Sequence, residues 1–240
     1  MNTIIQRRTD MDQTSFTDYI LASDYPVDGI EYRYEFLSED REVRQKELAY
    51  FAQKAKENKT DNLISIPIPL FVEQGLNPEL ESYLAEAQNL GAIYVKLDIG
   101  SVAGIRQVQA EEIAALIEKY HLKLNIENNQ TIENGKFAPI QESLQAIKDQ
   151  GLDVGFIYDL GNWGVMGEDP KVAFDAFKED ITVFHLKTVD EDGVTTLLDD
   201  GAYTWTDYIG LDVPYILEYP MTLEELDSEL NLFLRDKNRK

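Results

Sequence analysis

Strand-like and helix-like segments alternate along the whole chain, with no Gly/Ser-rich linker and no break in composition between them. Such alternation confines a chain to a parallel sheet with helical crossovers. The strand-like runs are Thr3–Ile5, Gly29–Phe36, Leu63–Pro69, Ala92–Ile99, Leu122–Glu127, Asp153–Asp159, Ile181–Val189 and Val213–Glu218. Helix signals separate them. Phe16–Leu21 and Glu39–Glu57 come first, the latter turning Leu48, Phe51 and Ala52 to the sheet. Leu80, Tyr83, Leu84 and Ala87 then recur at helical spacing behind an Asn77-Pro78 start. Ala110–Tyr120 and Ile140–Ile147 carry similar stripes, Asp169-Pro170 opens another helix, and Thr222-Leu223-Glu224-Glu225 is a capping box before the last. Eight units in 240 residues average about 30 residues, the length of one βαβ step. The expected fold is a single closed (β/α)8 barrel spanning residues 1–240. An open doubly wound sheet is the alternative, but no G-x-G-x-x-G follows the first strand.

Hydrophobic residues make up 43% of the chain, enough for a full core. The absence of cysteine removes disulfides and thiolate–metal chemistry. No apolar run approaches the roughly 18–20 residues of a membrane span, and no signal-peptide segment opens the chain, so a cytoplasmic protein is expected. Twenty-two basic residues face 45 acidic ones, for a net charge of −23. That field opposes nucleic acid and tolerates small molecules and divalent cations. The acidic, aperiodic segment Asp190–Tyr203 reads as a long loop at the barrel mouth.

Four consecutive strands end on charge or imidazole. Phe156-Ile157-Tyr158-Asp159 runs straight into a Gly161-Asn162-Trp163-Gly164 turn, while the other three ends carry Glu127, His185 and Glu218. Barrel enzymes work at the C-terminal ends of their strands. Of only two histidines, His121 stands at a strand start, whereas His185 shares a strand face with Lys187, opposite Phe184 and Leu186. Convergence of Glu127, Asp159, His185 and Glu218 on one divalent cation is therefore the expectation. Three carboxylates and an imidazole suit Mn²⁺ or Mg²⁺, and the imidazole leaves Zn²⁺ or Co²⁺ open.

The motifs Gly29-Ile30-Glu31-Tyr32-Arg33-Tyr34-Glu35, Glu127-Asn128-Asn129-Gln130-Thr131, Asp159-Leu160-Gly161-Asn162-Trp163 and His185-Leu186-Lys187, with Glu218, resemble the xylose isomerase-like TIM barrels. Within them they look most like the sugar phosphate isomerase/epimerase group. The resemblance spans nearly the whole chain. It implies that the residues matching Glu127, Asp159, His185 and Glu218 bind the metal, and that the two glutamates flank the substrate as an acid/base pair. Moving a hydrogen next to a carbonyl needs such a base, and a cation to polarise the oxygen. The expected activity is isomerisation or epimerisation of a sugar or a sugar-derived polyol or keto acid.

Inward charge must be balanced. Arg33 (between Glu31 and Glu35), Lys96 (on a face with Asp98) and Lys187 are expected to offset the carboxylates. Glu31, Arg33, Lys96, Asn162, Trp163 and Lys187 are the expected substrate contacts. A purely structural ion network, a turn-holding Asn162 and a Trp163 packed beneath its loop are the competing readings. Three other functions compete: a phosphodiesterase resembling the AP endonucleases of this fold, a dehydratase or lyase, and a barrel that only binds a ligand. The first needs several histidines at one barrel end. No Gly-rich phosphate loop is present. Dimers are common among barrels of this kind.

Overall fold

Seven parallel strands follow one another around a curled sheet in the computed structural model, which describes residues 1–237. They are β1 (Gly29–Arg33), β2 (Asp61–Val72), β4 (Ala92–Gly100), β5 (Lys123–Glu127), β6 (Gly155–Asp159), β7 (Ile181–Leu186) and β10 (Tyr215–Leu217). Their order in the sheet is their order in the chain. A short β3 (Gly75–Leu76) folds back on the end of β2, and β8 (Thr188–Val189) pairs with β9 (Thr195–Thr196) as a separate hairpin. The main crossover helices are α1 (Gln13–Ala22), α2 (Arg41–Asn58) and α3 (Leu80–Leu90). Short α4 (Val102–Ile105) precedes α5 (Ala110–Tyr120), and short α6 (Ile132–Gly135) precedes α7 (Phe137–Gln150). Last come α8 (Leu160–Val165), α9 (Pro170–Phe177) and α10 (Leu223–Lys237). Among the described residues no helix is long and apolar enough to cross a membrane.

The eighth barrel position is filled by two residues rather than by the expected strand. Asn2 N donates to Leu217 O at 3.0 Å, and Glu31 N donates to Met1 O at 2.8 Å, so Met1-Asn2 bridges β10 and β1. Thr3–Ile5, read from sequence as that strand, lies in a 3-10 helix spanning Thr3–Arg8. Asn2 explains the change: its side-chain oxygen accepts from Ile4 N at 2.7 Å and turns the chain out of the sheet.

Other boundaries differ for equally local reasons. The strand expected to reach Phe36 ends at Arg33, and Tyr34–Phe36 form a 3-10 turn. The stop expected at Pro69 does not occur. Instead β2 runs on to Val72, and its prolines fall where its register against β4 slips between Ser65 and Pro69, a bulge that tolerates residues without an N–H. Asn77 caps the turn before α3, accepting from Glu79 N at 3.0 Å, and the helix starts at Leu80. Asp169 and the Thr222/Glu225 box cap their helices as expected. The Asp190–Tyr203 segment is less irregular than expected, since Thr195–Thr196 return to Thr188–Val189.

Strand alternation sorts the core into two shells. Outward residues such as Ile30 and Tyr32 pack on helices, with the Tyr32 ring stacked on Phe51 of α2 at 4.3 Å. Inward residues Leu63, Tyr94, Ile157, Val183 and Ile216 form a separate apolar plug inside the barrel. Two positions further along four of these strands the inward residues turn polar, at Lys96, Asp159, His185 and Glu218, and Glu127 joins them from the end of β5, all buried. The fold thus places a charged layer on an apolar floor at the C-terminal rim.

Candidate metal centre

Glu127 and Asp159 are the last residues of β5 and β6, His185 is next to last in β7, and Glu218 follows β10. Local chemistry fixes each one. Asp159 caps α8, its Oδ1 accepting from Asn162 N at 2.8 Å, so the segment read as a Gly-Asn-Trp-Gly loop is a short helix. Asn128 clamps the same turn: its Oδ1 accepts from Asp159 N at 2.8 Å and its Nδ2 donates to Asp159 O at 2.9 Å. Gly161 is required by close approach. A Cβ there would lie 2.9 Å from Lys187 Cγ and 3.1 Å from the Lys187 carbonyl oxygen.

One ligand atom from each of Glu127, Asp159, His185 and Glu218 lies within 4.8 Å of the other three. His185 Nδ1 stands 2.8 Å from Glu127 Oε1 and 2.6 Å from Glu218 Oε2. Its Nε2 faces Glu31 Oε2 at 3.2 Å. Glu31 is in turn held by Tyr94 Oη, which donates to it at 2.7 Å, and by Asn2 Nδ2 at 2.5 Å. The imidazole is therefore oriented from behind by a carboxylate, the arrangement that fixes a metal-binding histidine. Lys96 Nζ donates to both Glu127 oxygens at 2.9–3.0 Å and to Glu218 Oε1 at 2.9 Å.

The donor set fits a divalent cation. Lys187 Nζ makes an ion pair with Asp159 Oδ2 at 2.8 Å, but at angles that leave this buried oxygen without a hydrogen bond. A buried, ionisable oxygen with spare lone pairs beside two further carboxylates and an imidazole is a hard-cation ligand set. Burial pushes the Asp159 carboxyl up to about 6, with Glu127 and Glu218 adding to the rise and Lys187 opposing it. Burial also disfavours charge on Glu218 and Glu31, but Lys96 and His185 outweigh it. Glu218 is held well below the ordinary range and Glu31 at about 2. For His185, burial opposes the imidazolium while Glu31, Glu218 and Glu127 favour it, and the net effect is a rise well above its usual value.

A cavity of about 480 Å³ opens over this layer, lined by Arg7, Arg33, Lys96, Asp98, Glu127, Gln130, Asn162, Lys187 and Glu218 among others. Arg33, Lys96, Asn162 and Lys187, expected at the substrate, are on its wall. Glu31 and Trp163 are not. Glu31 is fully buried beneath His185, and Trp163 is fully buried between Tyr158 and Phe177, at ring separations of 5.7 and 6.0 Å. His121 is exposed and closes α5 in a left-handed conformation, φ 54°. Sequence reasoning missed Arg7, Asn2 and Tyr94; Asn2 carries no signal in a strand only two residues long. A larger cleft of about 660 Å³ at the opposite rim, lined by Leu63, Tyr94 and Phe233, is predominantly apolar and holds none of the ligand set; chemistry, not size, selects the smaller cavity.

No family model matches the chain, and no curated protein matches it in sequence. Solved structures do match. The probable 3-DHS dehydratase AsbF from Bacillus anthracis gives a TM-score of 0.69 at 14% identity, over 98% of this chain and 97% of that one. A xylose isomerase domain protein from Planctomyces limnophilus gives 0.68 at 14% identity, over 92% of each chain. The D-psicose 3-epimerase from Clostridium cellulolyticum H10 gives 0.68 at 12% identity, over 100% of this chain and 97% of that one. The chain has the xylose isomerase-like TIM-barrel fold.

Proposed function

We propose that this protein is a divalent-metal-dependent isomerase or epimerase acting on a sugar or a sugar-derived keto acid or polyol. The observation that carries the reading is the meeting of Glu127, Asp159, His185 and Glu218 within 4.8 Å at the C-terminal rim, beneath a cavity that two of them line. Glu127, Asp159, His185 and Glu218 would hold the ion, with Mn²⁺ or Mg²⁺ favoured by three carboxylates. A bound divalent cation supplies Lewis-acid polarisation of a carbonyl oxygen.

The remaining work belongs to side chains. Glu127 and Glu218 both reach the cavity, whereas Asp159 and His185 lie outside its lining. The two glutamates are therefore the groups in reach of a substrate carbon, and a carboxylate can serve there as a base. Glu127 takes the proton next to the carbonyl and returns it to the neighbouring carbon, or Glu218 completes the exchange from the other side. Lys96, bridging both carboxylates, holds their spacing and offsets their charge. Arg33 and Lys187 line the wall and present donors to substrate oxygens, and Asn162 Oδ1 orients Lys187 from 2.9 Å. Glu31 acts through His185 and is a positioning residue.

Proton abstraction next to a carbonyl also begins a dehydration, and one structure of this fold is a probable dehydratase, so elimination is the second reading. The phosphodiesterase alternative shares this fold with an endonuclease IV, but the other histidine, His121, caps the C-terminal end of α5 and is not on the cavity wall. The test is a panel of ketoses, aldoses and keto acids in deuterated water with Mn²⁺. Deuterium gain at the carbon next to the carbonyl, lost in Glu127→Gln and Glu218→Gln, is expected. No exchange with any substrate and any of the four metals would sink the assignment.

A further inference from the structure

Four cations line the cavity, and three are already engaged. Arg33 holds Glu35 and Glu218 at 2.6 and 2.8 Å, Lys96 holds Glu127 and Glu218 at 2.9 Å, and Lys187 holds Asp159 at 2.8 Å. The fourth is Arg7, on the 3-10 helix that leaves the barrel after Asn2. It is exposed and has no carboxylate within ion-pair distance among the described residues, although the chain carries 45 acidic side chains. Its neighbour Arg8 does have such a partner, Glu225, at 3.0 Å. Arg7 is not loose either. Its guanidinium carbon lies 5.2 Å from the centre of the Phe36 ring, a contact that restrains the guanidinium and leaves N–H groups available for a planar oxyanion.

Local charge points the same way. Asp98, Glu127, Asp159 and Glu218 oppose Arg7, Arg33, Lys96 and Lys187 in and beneath the cavity wall, four against four. A divalent cation would add two positive charges, which Glu31 beneath His185 and Glu35 paired to Arg33 offset, so the set stays close to neutral. In a molecule with a net charge of −23, a cavity held near neutral repels an anion less than the acidic surface around it.

We infer that the substrate carries a terminal oxyanion, a carboxylate or a phosphate, bound by Arg7 at the cavity rim. This rests on the metal-dependent reading for the reacting end and narrows the substrate to a sugar acid or sugar phosphate. Arg7 is a binding residue and takes no part in proton transfer.

The test is calorimetric titration of the Mn²⁺-loaded protein with D-fructose, D-fructose 6-phosphate and 2-keto-D-gluconate, repeated on Arg7→Ala and Arg7→Lys. A hydrogen-bonded charge pair is worth about tenfold to a hundredfold in affinity. At least one anion should bind the wild type that much more tightly than D-fructose, and which anion wins separates phosphate from carboxylate. Arg7→Ala should erase the preference without changing Mn²⁺ affinity, and Arg7→Lys should restore part of it. The inference is overturned if neither anion outbinds D-fructose, or if the preference persists in Arg7→Ala. Failure of the wild type to bind Mn²⁺ at all, measured alone, would instead sink the metal reading, and the anion preference would then be scored on the metal-free protein.

Discussion

Replacing Asp159 by Asn should make the metal-free protein more stable and the metal-loaded protein less stable than wild type. The Asp159 carboxyl is pushed up to about 6 by burial, against about 3.9 in the unfolded chain. The folded state therefore holds this proton more tightly than the unfolded one. The sign follows: wild-type stability contributed by this group is present below about pH 4 and falls as pH rises towards 6. Above pH 6 the ionised form costs about 3 kcal/mol relative to the neutral one. Asparagine removes that charge and keeps the oxygen that caps α8, which accepts from Asn162 N. It also turns an amide towards Lys187 Nζ, 2.8 Å from the present Oδ2, so the gain is discounted to about 2 kcal/mol, or about 4–8 °C in Tm for a chain this long. Mn²⁺ at a hundred times its Kd would stabilise the wild type by about 2.7 kcal/mol, and the variant, one ligand short, by far less. Thermal unfolding at pH 7 with chelator, then with Mn²⁺, should show the order of the two proteins invert. A variant that is less stable than wild type in chelator, or that gains as much from Mn²⁺, refutes the reasoning.

Metal binding must displace protons, because neighbouring carboxylates raise His185 well above its usual value and burial pushes the Asp159 carboxyl up to about 6. Mn²⁺ affinity should rise with pH between 6 and 8, by about tenfold per unit for each proton released. Calorimetry in buffers of different ionisation enthalpy counts those protons, and a count of zero would contradict the assigned ligands. Glu31→Gln, which leaves the cavity wall untouched, should weaken Mn²⁺ binding by about 10–100-fold while the far-ultraviolet circular dichroism stays the same; unchanged affinity would remove its positioning role. Gly161→Ala forces a methyl against Lys187 and should cost about 1–3 kcal/mol, read from urea midpoints. A neutral result there would mean that β7 and α8 can move apart.

Much of the site was legible in the sequence. The run Phe156–Asp159 ends on a carboxylate and meets glycine two residues later, and period-two alternation alone assigns Asp159 and Ile157 to the same face. The same rule assigned His185 and Lys187 to the interior, where both are buried. Glu31 followed that rule as well, but alternation gives a face and not a height. In the folded barrel it stands below the imidazole rather than on the cavity wall. Trp163 is buried on a short helix against Tyr158 and Phe177, a placement that depends on packing between elements and that no local pattern encodes.

Periodicity and strand-end chemistry determined the class of fold, the rim that carries the site, and the four side chains that meet there. These depend on neighbours one to four residues apart, and local order suffices to specify them. Barrel closure by Met1-Asn2, the engagement of Lys96 with two glutamates, and the lack of an ion-pair partner for Arg7 among the described residues were decided only in three dimensions. The first two join groups as far apart in the chain as Asn2 and Leu217 or Lys96 and Glu218, and only the curvature of the closed sheet brings such groups within a hydrogen bond of one another.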